Sequence, residues 1–127
     1  MSDLRQAFFD EMEILAEEDE NVIVMVGDLG YSFVEGYQER YPRQFINAGA
    51  AEQNMVGVAS GLAYGGKRPY VYTGSLFAVA RPYEFVRDDV AYNNTNVKVI
   101  GTGASGFLGL FDSRRCVLDS WCGRSLP

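Results

Sequence analysis

The hydrophobic positions of this chain change their period several times along its length. Leu4, Phe8, Met12 and Leu15 form an apolar stripe at helical spacing, with Ala7 and Ile14 beside it and Asp10, Glu13 and Glu17 turned away. That pattern predicts an amphipathic helix from about Asp3 to Glu18. Asn21 breaks it, and Val22-Ile23-Val24-Met25-Val26 follows as an unbroken apolar run. Such a run predicts a strand covered on both faces, as in a parallel sheet. Phe33 to Tyr41 read as a polar helix with aromatic residues, stopped by Pro42. Gln44 to Asn47 are expected to be a short second strand, Pro69 to Thr73 a third, and Val97 to Ile100 a fourth. Gly74 and Ser75 are expected to turn the chain. A helix is then expected from Pro82 to Asn93, where Phe85, Val86, Asp89 and Val90 recur at helical spacing. The alternation of strand and helix predicts an α/β fold, a mostly parallel sheet with helices on both faces. Four strands are few for a doubly wound domain, so the sheet is expected to be incomplete toward the C-terminus or completed by other chains.

Between the second and third strands, residues Ile46 to Gly66 read I-N-A-G-A-A-E-Q-N-M-V-G-V-A-S-G-L-A-Y-G-G. A helix is expected to begin near Ala51. Glu52 falls in its first turn, and Met55, Val56, Ala59, Leu62 and Ala63 continue the same face. A carboxylate at the head of an apolar stripe is a candidate for a functional acid. The competing reading is an ordinary acidic residue complementing the helix dipole. Gly57 and Gly61, four apart on a neighbouring face, would let another backbone come close. Asp28 lies in Gly27-Asp28-Leu29-Gly30, just past the first strand. In open α/β sheets ligands bind beyond the carboxyl ends of strands, so Asp28 is placed to meet one. The competing reading is a turn aspartate that holds its own backbone.

At 127 residues the chain allows one domain at most, with enough apolar residues for a core. Its net charge of -6 comes largely from Asp10, Glu11, Glu13, Glu17, Glu18, Asp19 and Glu20, along one helix face and end. No basic patch argues for nucleic acid. No signal peptide is visible, nor any apolar run long enough to span a membrane. Cys116 and Cys122 both lie in the last dozen residues, and the chain has no histidine, so no metal site is expected. A cytoplasmic protein is the expectation.

Several segments together resemble the pyrimidine-binding domain of transketolase-type, thiamine-diphosphate-dependent enzymes. They are V-G-D-L-G, F-I-N-A-G-A-A-E-Q-N-M-V-G-V-A-S-G-L-A, K-R-P-Y-V-Y-T, R-P-Y-E-F-V-R-D-D-V-A-Y and N-V-K-V-I-G-T-G-A, in the family's order from about Leu4 to Gly106. The chain looks most like the small C-terminal subunit of a two-chain transketolase. Deoxyxylulose-phosphate synthase and the β subunits of 2-oxoacid dehydrogenases resemble it more distantly. The resemblance implies that Glu52 hydrogen-bonds a ring nitrogen of the cofactor's aminopyrimidine and so promotes removal of the thiazolium proton. It implies that Tyr72 and Phe77 are the aromatic residues nearest that ring. Asp28 and Leu29 would lie near the thiazolium and the partner chain, and Arg81 would face substrate phosphate. The implied reaction moves a two-carbon ketol unit between sugar phosphates. The implied partner is a diphosphate-binding subunit that holds the diphosphate and its Mg2+ or Ca2+, in a homo- or hetero-oligomer. No D-G…N metal motif occurs here, so this chain alone is expected to be inactive.

The resemblance ends near Gly109, and residues 110–127 read as an atypical tail. A truncated or frame-shifted end is expected there. Two other readings stay open. Gly101-Thr102-Gly103-Ala104-Ser105-Gly106 satisfies a dinucleotide-binding G-x-G-x-x-G after a strand, with Asp119 at a tolerable distance. A non-catalytic assembly module would instead use the Gly57/Gly61 face and Tyr31, Phe33, Tyr37 and Tyr41 as subunit contacts.

Overall fold

A computed structural model describes residues 4–103. Five apolar residues in a row make β1 (Val22–Val26), and all five are buried. It is one of the two inner strands of a four-stranded, wholly parallel sheet with β2 (Phe45–Asn47), β3 (Arg68–Gly74) and β4 (Lys98–Thr102), in the order β2-β1-β3-β4. Alternate residues of β1 serve opposite faces. Val24 and Val26 pack with Phe9, Met12 and Ala16 of helix α1 (Leu4–Glu18) and with Val34 and Tyr37 of α2 (Val34–Arg40). Ile23 and Met25 pack with Met55, Val56 and Ala59 of α3 (Glu52–Tyr64). Helices therefore cover both faces, as the alternating pattern predicts.

The face that α1 buries is turned from the one expected. Phe9, Met12 and Ala16 are buried, Phe8 and Leu15 flank them, and Leu4 is 85% exposed. With two adjacent phenylalanines a stripe can be drawn through either. Packing selects Phe9, while Phe8 stacks its ring on Tyr72 with centroids 5.2 Å apart.

The return from β3 also differs. Ser75 does not turn the chain but opens a short helix, α4 (Ser75–Val79). The expected single helix after Pro82 is one α-turn, α5 (Tyr83–Phe85), that widens into a π-helical segment, Val86–Tyr92. Two hydroxyls meet at this segment. Ser60 Oγ donates to the Asp89 carbonyl at 2.6 Å, and Thr95 Oγ1 donates to the same oxygen at 3.1 Å. The Thr95 amide bonds the Val90 carbonyl at 3.0 Å, continuing the five-residue spacing. Gly57 supports the packing here: a Cβ on it would lie 3.3 Å from the Phe85 ring. Gly61, expected to act with it, faces open space. The tail 110–127, with both cysteines, lies outside the described residues. So does the dinucleotide fingerprint after Gly103; Gly101 within it belongs to β4.

Candidate functional site

Parallel strands end together, so the chain segments leaving them share one rim. Val26 of β1 is level with Tyr72 of β3, and the Gly27 amide bonds the Tyr72 carbonyl at 3.2 Å. On the other side of β1, the Ala48 amide bonds the Val26 carbonyl at 2.9 Å and brings the β2–α3 connection over the same rim. That connection turns at Gly49, whose φ is +69° and whose amide is held by Asn47 Oδ1 at 2.9 Å. Ala51 then caps α3, and Glu52 is its first residue.

Glu52 is only 3% exposed. Arg81 Nη1 donates to its Oε2 at 3.0 Å, and Thr73 Oγ1 donates to its Oε1 at 3.4 Å. The side chain thus occupies a buried place that a carboxylate holds only with charged or hydrogen-bonding partners. Gly27 makes the room. A Cβ there would stand 3.1 Å from Thr73 Oγ1, 3.4 Å from Met55 Cε and 3.5 Å from Glu52 Oε1. Glycine lets the backbone just past β1 approach the acid closely.

Phe77 stands on α4, directly after β3, and carries Arg81 over its ring with Cζ 3.9 Å from the centroid. It also crowds Gly74: a Cβ on Gly74 would lie 3.2 Å from Phe77 Cδ2 and 3.7 Å from Leu29 Cδ1. Leu29, Phe77, Arg81 and Glu52 are thereby gathered at one rim. Asp28 is at the same rim but exposed, in left-handed backbone at φ +56°. It accepts from Tyr31 Oη at 3.1 Å and from Asn47 Nδ2 at 3.3 Å. The hydrogen bond to Asp28, and the charge of that carboxylate, hold the Tyr31 phenol above its ordinary pKa.

Tyr72 is not part of this group. Adjacent residues of β3 point to opposite faces. Thr73 points toward Glu52, and Tyr72 points into the α1 side of the core, 2% exposed against Phe8 and Phe9. Its hydroxyl is buried without a hydrogen-bond partner among the described residues. Thr73 is the residue that the sequence reading missed. The alternation Val71-Tyr72-Thr73 carried the signal, since Val71 belongs to the α3 side and Thr73 shares its parity. Among the described residues, no three His, Cys, Asp or Glu side chains cluster as metal ligands, and no helix is long and apolar enough to cross a membrane.

A buried acid and an aromatic ring stand together at the carboxyl rim of an open parallel sheet in an α/β domain, the rim at which such sheets bind ligands. Comparison with known proteins gives that class its family. The model of the transketolase pyrimidine-binding domain matches residues 1–110, and the chain belongs to this family. It is 38% identical over 109 residues to an apulose-4-phosphate transketolase subunit of Phocaeicola vulgatus, covering 83% of this chain and 35% of that one. It is 34% identical over 105 residues to 1-deoxy-D-xylulose-5-phosphate synthase of Macrococcus caseolyticus, covering 82% of this chain and 16% of that one. Among solved structures, a split-gene transketolase in an inactive beta4 tetramer matches with a TM-score of 0.69 and 35% identity, over 76% of this chain and 33% of that one. The chain spans about a third of the length of the first curated transketolase relatives it matches.

Proposed function

We propose that this chain forms the pyrimidine-binding side of a thiamine-diphosphate-dependent, transketolase-type enzyme that moves a two-carbon ketol unit between sugar phosphates. The observation that carries the reading is the burial of Glu52 at the sheet rim, in a chain of the pyrimidine-binding family. The cofactor, when bound, supplies the nucleophilic thiazolium carbon. The residues here fit its pyrimidine end. Glu52 Oε2 is paired with the half-exposed Arg81, so a ring nitrogen that takes the place of the guanidinium can share a proton with that oxygen. Phe77 offers a flat apolar surface beside it, and Leu29 narrows the rim toward Gly74. Glu52 orients the ring and holds the proton at Oε2. Phe77 and Leu29 keep water from the shared proton, which strengthens the hydrogen bond. Asp28 stands at the outer edge, where a companion chain would close the site.

The diphosphate and its metal would be held by a companion subunit. This assignment draws on the Phocaeicola vulgatus relative, which is itself one subunit of a transketolase. The synthase relative supports a second reading, a related thiamine-dependent synthase, for which we propose a 2-oxo acid donor in place of the ketose. Release of carbon dioxide on turnover would separate the two. The proposal is tested by Glu52→Gln, assayed with the companion subunit and cofactor present. Turnover should fall by about a hundredfold or more, as expected on removing a group that moves a proton in the rate-limiting chemistry. Unchanged turnover with the fold intact contradicts it.

A further inference from the structure

Arg81 makes two contacts at once with Glu52 and Phe77. Its Nη1 donates to Glu52 Oε2 at 3.0 Å, and its guanidinium carbon lies 3.9 Å from the Phe77 ring centroid. A guanidinium is flat, offers N–H donors along its edge and stacks on aromatic rings by its face. A planar heterocycle with a protonated edge nitrogen presents the same two surfaces. Both kinds of group would compete for the same carboxylate oxygen and the same ring.

We propose that Arg81 competes with the cofactor's pyrimidine: the guanidinium and the ring take the same carboxylate oxygen and the same aromatic face, so Arg81 must leave Glu52 for the ring to bind it. This rests on the functional reading above. The burial is unequal in the way an exchange requires. Glu52 is 3% exposed and cannot be left without a partner, whereas Arg81 is 49% exposed and has water on its other side. The arginine sits between the end of α4 and Pro82, outside both helices. Released, it regains rotamer freedom and hydration, which offset part of the contact it loses. Cofactor binding is then an exchange of partners on Glu52. Its affinity is set as much by the contact it breaks as by the contact it makes.

The test uses the full chain reconstituted with its diphosphate-binding companion and titrated with thiamine diphosphate at fixed Mg2+. Arg81→Met removes the competing edge and keeps an apolar side chain against Phe77. It should bind the cofactor about tenfold more tightly than the wild type, the gain expected from deleting a competing half-exposed pair. Its melting temperature should start lower and rise further on cofactor addition. Arg81→Lys keeps a charge within reach of Glu52 but has no flat face for Phe77. It should fall between the two, and it carries the test if the methionine variant does not fold. Unchanged or weaker cofactor binding in the variants overturns the proposal. Unchanged binding with a raised KM for the sugar phosphate would assign Arg81 to substrate. If the wild-type complex fails to bind thiamine diphosphate, the functional reading itself fails, and this inference with it.

Discussion

Removing the arginine that faces Glu52 should cost more stability than neutralising Glu52 itself. In Arg81→Met the carboxylate keeps, among the described residues, only Thr73 Oγ1, at 3.4 Å, in a place 3% exposed. Breaking a fully buried pair costs about 3–5 kcal/mol because the remaining charge is stranded. Here Arg81 is 49% exposed, so water reaches Oε2 once the guanidinium leaves. The expected loss is therefore about 1–2 kcal/mol. Glu52→Gln has the same shape and no charge. Its amide oxygen still accepts from Arg81, and its amide nitrogen can donate to Thr73, so the loss should stay within about 1 kcal/mol. In the double variant no charge is stranded, and most of the Arg81→Met cost should disappear, leaving a coupling of about 1 kcal/mol. Urea unfolding of the full chain, followed by far-ultraviolet circular dichroism, measures all four species. For a domain near this size the coupling corresponds to a shift of roughly 4–8 °C in melting temperature. Strictly additive losses, or an Arg81→Met variant as stable as the wild type, would refute the view that Glu52 depends on Arg81.

Gly27→Ala should destabilise the chain by about 1–3 kcal/mol and weaken cofactor binding, because the new methyl would stand 3.1 Å from Thr73 Oγ1 and crowd the acid; equal stability and affinity would contradict the close approach drawn here. Ser60→Ala should cost about 1–2 kcal/mol by removing the hydroxyl that holds the Asp89 carbonyl, measured by urea unfolding, with no loss contradicting its role in securing the π-helical segment. The Asn21 amide, followed by Arg68, depresses the pKa of Asp19. A depressed carboxylate stabilises the fold above its unfolded value near 3.9, and that contribution fades as pH falls through the lower folded value. Asp19→Asn should therefore flatten the fall in stability below about pH 4, and an unaltered acid limb would contradict the pairing.

Much of this architecture is legible because single segments carry it. Val22–Val26 can be read as a doubly covered strand because all five residues are apolar, and all five are buried. Glu52 can be singled out because Met55, Val56 and Ala59 place its face against the sheet. The sequence is silent where neighbours in space decide. Tyr72 lies close in sequence to the expected aromatic segment, but strand parity turns it toward α1 and brings Thr73 to Glu52. The pairing of Arg81 with Glu52 joins residues 29 apart and depends on α4, where Gly74-Ser75 suggests only a turn. The π-helical segment has no local signature, since hydroxyls from Ser60 and Thr95 meet at its Asp89 carbonyl.

Nitrogen NMR of isotope-labelled thiamine diphosphate, bound to this chain and its companion subunit, reads the shared proton itself. The account predicts that the pyrimidine ring-nitrogen resonance moves toward its protonated position in the wild-type complex and returns to the free-cofactor position in Glu52→Gln. A resonance that is the same in both complexes would mean that Glu52 does not hold that proton, and the central claim would be lost.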